Sequence, residues 1–421
     1  MGFKRWEHFK LDSLCQITSS KRIFAEEYVE YGTPFFRSKE IIQKALGESI
    51  TEFLFISKER FSEIKKQFGA PQKGDVLLSS VGNRSGVPYL VKESDGDFYF
   101  KDGNLIWFKD FNPKLSCDYL YYWLKSSIGQ NLLNSIMIGS AQKALTIIGL
   151  SGLEITLPSL STQRRIASIL SALDDKIELN HQTNQTLEAI AQAIYKEWFV
   201  NFNFPTSEGK PYRDSGGEMQ DSELGPIPKR WMMSTLGNEG EFKNGINYSR
   251  DERGDALFSI VNVRDIVADK FLSKPSLDII QIDRKKAQPY ILKTDDILIV
   301  RSASPGETAI LLIEEQDIIY SGFTIRYRLR NKKYFLYLFF ILQNVKGALE
   351  NLSNGTTLKN INQEMLKDYK INYPTEEIVA SFNEIIEPIF EKIFINNQQN
   401  YNLEKVRDSL LPKLISGKID M

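Results

Sequence analysis

Apolar residues recur every seventh position along two long stretches of the chain. After Pro158-Ser159 the series is Ile166, Leu173, Asn180, Leu187 and Ile194, flanked by Ile169, Leu170, Ile177, Ile190 and Trp198. After Pro374-Thr375 it is Phe382, Ile389, Asn396, Leu403 and Leu410, flanked by Ile385, Ile386, Ile393 and Leu414. A period of seven held over five positions predicts a coiled-coil seam, so the two helices, 159–200 and 375–416, are expected to pack on each other. Proline ends the preceding strand in both cases, and the Ser or Thr after it supplies an N-cap. A helix of some 37 residues is about 55 Å long, against about 34 Å for one turn of DNA, so such a pair could hold two bodies at a fixed separation. Asn180 and Asn396 occupy the same heptad position, with Asn184 and Asn400 one turn on and Gln182 and Gln398 between. A polar residue in an apolar seam lowers stability but fixes register, because a slipped pairing leaves its amide unsatisfied.

The seams belong to a larger repeat. Residues 139–199 align with 355–415 at a constant offset of 216, superposing Pro158 on Pro374, Asn180 on Asn396 and Glu188 on Glu404; 13 of the 61 pairs are identical, where average composition gives about four. Upstream the offset is 225, with Lys4-Arg5-Trp6 on Lys229-Arg230-Trp231, Leu11 on Leu236 and Glu40-Ile41 on Asp265-Ile266, so the first copy carries about nine extra residues. Residues 205–228, rich in Gly, Pro, Ser and acidic side chains, are expected to be a connector without regular structure and a domain boundary. The predicted organisation is a first head (1–157), a central helix (158–204), a linker (205–228), a second head (229–373) and a distal helix (374–421).

Each head shows short β-rich runs: Asp75-Val76-Leu77-Leu78 and residues 97–100 in the first, 296–300 and 318–329 in the second. These predict a mixed α+β fold with two α/β heads in tandem. A turn follows the first strand of each pair, Gly82-Asn83-Arg84-Ser85-Gly86 and Arg301-Ser302-Ala303-Ser304-Pro305-Gly306. Arginine, small hydroxyls and glycine can approach a phosphate or a base edge closely. A second paired element precedes each helix, Gly139-Ser140-Ala141-Gln142-Lys143 and Gly355-Thr356-Thr357-Leu358-Lys359-Asn360. Arg37, Ser80, Asn83, Arg84, Gln142, Lys143, Arg264, Arg301, Ser302, Lys359 and Asn360 are the candidate nucleic-acid contacts, with lysine suited to phosphate. Tyr119, Tyr121, Tyr122 and Trp123 have helical spacing and match Phe335, Tyr337, Leu338 and Phe339, which places them in a core rather than on a base-stacking surface.

Composition narrows the function by exclusion. The 42% hydrophobic and 25% charged content is that of a soluble globular chain, and the longest apolar stretch, residues 334–342, is half of a membrane span. The N-terminus has no export signal, which makes the cytoplasm the default. Cys15 and Cys117 are the only cysteines and His8 and His181 the only histidines, which rules out a disulfide framework or a four-cysteine metal cage. The chain contains no phosphate-binding Gly-x-x-x-x-Gly-Lys-Ser/Thr loop, no zinc motif, no Gly-x-Ser-x-Gly elbow and no Asn-Pro-Pro-Tyr segment for a flipped base. A formal net charge of -1 confines any basic surface to a local patch.

Two runs carry a resemblance that covers essentially the whole chain: Leu157-Pro158-Ser159-Leu160-Ser161-Thr162-Gln163-Arg164-Arg165-Ile166-Ala167, and Pro211-Tyr212-Arg213-Asp214-Ser215-Gly216-Gly217-Glu218-Met219 with Leu224-Gly225-Pro226-Ile227-Pro228. The chain resembles the specificity subunits of type I restriction-modification systems. The resemblance implies that each head is a target-recognition domain reading one half of a bipartite site in double-stranded DNA. It further implies that the helices pair antiparallel, set the unread spacer and dock two methyltransferase subunits, with restriction/translocase subunits completing the enzyme. S-adenosylmethionine, ATP and Mg would then sit on those partners, leaving this chain non-catalytic, without cofactor or metal, and off the membrane. The distal helix departs from the pattern, with Ile378-Val379-Ala380-Ser381 in place of Thr162-Gln163-Arg164-Arg165. The alternatives are a scaffold that binds proteins alone and a self-sufficient nuclease using unmarked carboxylates.

Overall fold

The computed structural model describes residues 6–47, 50, 52–139, 143–249, 252–272, 277–312, 316–352 (backbone only at 351 and 352) and 359–419. The long helices run Leu160–Tyr195 and Glu376–Ile415, close to the spans the heptads predict. Ser159 starts the first as expected: its hydroxyl accepts the Thr162 N–H at 3.3 Å and its carbonyl the Gln163 N–H at 2.9 Å. A π-helical turn, Lys196–Val200, ends the central helix and buries Trp198 and Phe199.

The chain forms two compact units, residues 1–180 with 398–421 and residues 181–397. Both divisions fall inside the long helices and not in the 205–228 connector, so each unit contains one head and half of each helix. In the first unit Asn180 Nδ2 donates to Asn400 Oδ1 at 2.7 Å, and Arg407 Nη1 donates to Asp174 at 2.8 Å. In the second, Asn396 Nδ2 donates to Asn184 Oδ1 and Asn184 Nδ2 to Asn397 Oδ1, both at 2.7 Å. Numbers rise on one helix as they fall on the other, so the segments pair antiparallel within each unit. The buried helix positions of the first unit include Ile166, Leu170, Ile177 and Asn180 on one segment with Asn400, Leu411 and Leu414 on the other, and those of the second include Asn184, Ala191 and Trp198 with Val379, Phe382, Ile386, Phe390, Ile393 and Asn396. Ile169, Ile190 and Ile385, assigned to the seam flanks by sequence, are exposed instead. A two-row seam covers too narrow a stripe to bury them.

The heads repeat one topology. The first has a four-stranded antiparallel sheet, Gln16–Thr18, Leu105–Lys109, Val76–Ser79 and Pro88–Leu90 in spatial order, and the second has Gly240–Asn244, Thr324–Leu329, Asp296–Val300 and Thr308–Ile310. A second sheet in each contains one parallel pair, Thr33–Phe36 with Tyr99–Phe100 and Ala256–Val261 with Ile318–Tyr320. An antiparallel pair joins the start of each head to the strand before its long helix, Glu7–Lys10 with Glu154–Leu157 and Met232–Thr235 with Lys370–Tyr373. The aromatic clusters are core as predicted: Tyr119, Tyr122 and Trp123 are buried on helix Cys117–Lys125, and Phe335, Tyr337 and Phe339 on Phe335–Leu352.

The connector is mostly turns, with one short strand pair, and it is nevertheless packed. Phe204 stacks on Tyr212 and Trp231 with centroids 4.6 and 5.6 Å away, the Tyr212 hydroxyl donates to the Glu218 carbonyl, and Met219–Gln220 pairs with Ile227–Pro228. Three buried or half-buried rings supply enough apolar area to order a stretch that Gly, Pro and Ser would leave loose. Trp6, the repeat partner of Trp231, packs in the first unit so closely that a Cβ on Gly417 would lie 2.8 Å from its ring.

Candidate nucleic-acid interface

Two segments about sixty residues apart in sequence meet at one end of each head's main sheet. In the first head Leu145 N–H donates to the Ser80 carbonyl at 2.8 Å, Gly82 N–H to the Lys143 carbonyl at 3.4 Å, and Val81 bridges Ala144. In the second, Ile361 N–H donates to the Arg301 carbonyl at 2.9 Å and Ser302 bridges Asn360. The loop after the first sheet strand and the segment before the long helix, two separate sequence candidates, thus form one tip in both copies. The offset between copies falls from 225 at Glu40/Asp265 to 221 at Ser80/Arg301 and 216 at Leu145/Ile361, so the extra residues of the first head are distributed along it.

Each loop is held by its own backbone. Gly86 N–H donates to the Ser79 carbonyl and Gly306 N–H to the Val300 carbonyl, closing the second loop one residue sooner than the first. Both closing glycines have φ of +90°. Gly82 (φ +94°) and its counterpart Ala303 (φ +70°) share the left-handed region, where a Cβ costs about 1 kcal/mol or more. The second tip tolerates that strain and presents a different outline.

The candidate side chains divide between surface and frame. Asn83, Arg84 and Lys143 are exposed on the first tip, Lys359 and Asn360 on the second, and Arg301 and Ser302 are half-buried there. Arg301 Nη1 also reaches the Gly322 carbonyl at 3.4 Å. Ser80 is buried and its hydroxyl donates to the Gly103 carbonyl at 3.2 Å, so it supports the loop and presents no side chain to a ligand. Arg37 caps helix Ser38–Leu46: its N–H and its guanidinium both bind the buried Glu40 (2.8 and 2.5 Å). That bond raises the Arg37 pKa, and the same contacts outweigh burial to hold Glu40 below the usual carboxylate range. Arg264 lies beside the corresponding cap, where Asn262 N–H donates to Asp265, and pairs with Asp278 at 2.5 Å. Gln142 lies outside the described residues, as do residues 140–141 and 353–358.

One pair of positions escaped sequence reading. The Ser80 N–H donates to the Asn104 carbonyl and the Arg301 N–H to the Phe323 carbonyl, so Asn104 and Phe323 occupy equivalent places beside the two tips. Phe323 lies in a turn between Ile318–Tyr320 and Thr324–Leu329, a stretch whose β-rich composition hides the turn. Gln163, from the run that carries the family resemblance, is a structural tie: its amide donates to the Lys114 and Pro158 carbonyls at 2.9 and 3.0 Å and accepts the Ser116 N–H at 3.0 Å. Its distal counterpart Val379 is buried and apolar. Among the described residues no three His, Cys, Asp or Glu side chains cluster as metal ligands, and no helix is long and apolar enough to cross a membrane.

The duplicated heads are those of a tandem DNA-specificity protein: residues 4–189 and 228–405 match the family model described as the type I restriction modification DNA specificity domain. The chain belongs to this family: it is a specificity subunit of a type I restriction-modification system, non-catalytic itself, with two tandem recognition domains that fit a bipartite site. It is 29% identical to the type I restriction enzyme MjaIX specificity subunit of Methanocaldococcus jannaschii, over 82% of this chain and 78% of that one. It is 26% identical to the HindI specificity subunit of Haemophilus influenzae, covering 83% and 87% of the two chains. Its fold matches the crystal structure of the type I S subunit from M. genitalium with a TM-score of 0.60 at 16% identity, over 98% and 97% of the chains.

Proposed function

We propose that each unit reads one half of a bipartite duplex site through its tip, Asn83, Arg84 and Lys143 in the first and Arg301, Ser302, Lys359 and Asn360 in the second. Lysine sets position on phosphate while arginine, asparagine and serine reach base edges. The helix pair acts as the spacer, its buried Asn residues locking register, and carries two methyltransferase subunits, with restriction/translocase subunits completing the complex. S-adenosylmethionine, ATP and Mg belong to those partners, and the assembly works in the cytoplasm.

One observation carries this reading: the same two segments are joined by equivalent backbone hydrogen bonds in both heads, Leu145 to Ser80 and Ile361 to Arg301, while the side chains on them differ. A frame repeated in both copies with tips that differ between them suits the reading of two different half-sites. The test is to co-express the chain with its methyltransferase and map methylated adenines. The expected result is a two-part motif with a fixed unread gap, and alanine at Arg301, Lys359 and Asn360 together relaxes one part alone. A scaffold that binds only proteins would leave DNA affinity unchanged when Arg84, Lys143, Arg301 and Lys359 are all removed.

A further inference from the structure

We infer that Phe323 contacts the 5-methyl group of a thymine in the half-site read by the second unit, an apolar specificity determinant that the first unit lacks at the equivalent position. The inference rests on the reading of the tip as the DNA-contacting surface.

The Phe323 ring is 65% exposed on a backbone that is held from both sides. Gly322 N–H donates to the Ile246 carbonyl at 2.8 Å, Thr324 N–H to the Ser321 carbonyl at 2.9 Å, and the Thr324 hydroxyl to the same carbonyl at 2.7 Å. The Phe323 carbonyl accepts the Arg301 N–H at 2.9 Å, which joins the turn to the loop carrying Ser302 and, through its bridge, Asn360. Gly245 lets the neighbouring strand end come so close that a Cβ on it would lie 2.1 Å from the Ser321 carbonyl oxygen. The turn is therefore set before any ligand arrives, and placing the ring needs little further ordering.

The chemistry around the ring selects its ligand. Arg301, Ser302, Lys359 and Asn360 are polar or basic, suited to phosphates and to base donors and acceptors. An exposed aromatic ring on the turn joined to that loop gains by covering an apolar group, and on the base edges of the major groove of stacked duplex DNA that group is the thymine methyl. At the equivalent place the first unit has Asn104, whose amide would hydrogen-bond instead. The two tips thus differ in kind at one matched position.

The test uses the full chain assembled with its methyltransferase and duplexes carrying the mapped site. Each thymine of the second half-site is replaced singly by deoxyuridine, which removes only the methyl group. One replacement is expected to weaken wild-type binding about fourfold, the value of one buried methyl-sized group, and to change binding by Phe323→Ala less than twofold. Phe323→Leu should retain part of the sensitivity, and thymines of the first half-site should respond alike in all three proteins. Phe323 is exposed, so the variants are expected to keep the wild-type melting temperature. If wild type prefers the site over a scrambled duplex but no thymine in the second half shows a Phe323-dependent methyl effect, the inference is overturned while the reading of the tip stands. If wild type shows no such preference, the tip reading itself falls and takes the inference with it.

Discussion

The first unit ties its helix segments together with a charged cluster as well as the Asn180–Asn400 amide pair, the second with a longer chain of amides. Asp174 receives Arg407 Nη1 at 2.8 Å, the Tyr122 hydroxyl at 2.9 Å and Lys125 Nζ at 3.5 Å. Burial alone would raise its pKa, but Lys125 and Arg407 outweigh that and hold the carboxyl below its ordinary range. In the second unit a one-way chain of side-chain amides runs from Asn396 to Asn184 to Asn397 and ends on Asp269, which accepts Asn397 Nδ2 at 3.0 Å. Beside it Lys270 pairs with Glu188 at 2.6 Å and the Phe271 ring packs edge-on against Phe390. Here burial prevails over the Phe271 N–H and pushes the Asp269 carboxyl up to about 6. One duplicated frame thus places beside its helices an acid whose ionised form is favoured in one copy and an acid whose ionised form burial disfavours in the other.

The largest test separates frame from tips. Removing one heptad from both helices shortens them by about 10 Å, or about three base pairs of duplex. Methylation mapping should show the gap between half-sites reduced by that amount and both half-sites intact; altered half-sites would mean that the helices do more than set distance.

Next comes the charged tie. Asp174→Asn removes the half-buried charge that Arg407 and Lys125 share, while Arg407 keeps Asp408, and should cost the first unit about 1–2 kcal/mol. Hydrogen exchange resolved by segment should show the loss in the first unit's helix segments and little change in the second's. Equal loss in both units would show that they do not respond separately.

The two acids should also respond oppositely to pH. Asp174, with its pKa lowered, stabilises the fold above the ordinary carboxylate range, and that contribution disappears as pH falls through its folded value. Asp269, with its pKa raised from 3.8 to about 6, lets the folded state hold a proton that the unfolded chain has released. Its contribution is therefore fullest below about pH 4 and is lost as pH rises through 6, a swing on the order of 2–3 kcal/mol. Urea melts followed in the second unit should show wild type weakening from pH 5 to pH 7.5 and Asp269→Asn nearly level. A flat wild-type profile would assign the second unit some compensating charge.

The smallest effect compares the loops. Gly82→Ala adds a Cβ to open space at φ +94° and should cost the first head about 1 kcal/mol, while Ala303→Gly should relieve a similar strain in the second. Opposite shifts in melting temperature would confirm that the two positions are structural equivalents; shifts of one sign would not.

The long helices were legible because heptad periodicity is a local property: every residue of the seam declares itself by spacing alone. The repeat was legible for the same reason, and so were the capping Ser159 and the aromatic cores. The tip was legible only in parts. Each loop announced itself through glycine and hydroxyl residues, but that Leu145 would pair with Ser80, or Ile361 with Arg301, depends on how the sheet brings distant segments together. Ser80 has the hydroxyl of a candidate contact, yet its burial follows from neighbours remote in sequence. Phe323 is hidden within residues 318–329, which read as one β-rich run. The connector's lack of long regular elements was legible from its glycines and prolines, but composition takes no account of Phe204 stacking between Tyr212 and Trp231.

By itself, then, the sequence determined the duplicated architecture, the antiparallel-competent helices with their Asn register marks, and the family, because these reside in short-range periodicity and in contiguous motifs. Only the tertiary structure decided where one compact unit ends, which candidate residues face outward, and that nearby cations outweigh burial at Asp174 whereas burial prevails at Asp269. A carboxylate's pKa, a side chain's exposure and a loop's partner are set by atoms brought close in space, and the order of residues along the chain does not encode that proximity locally.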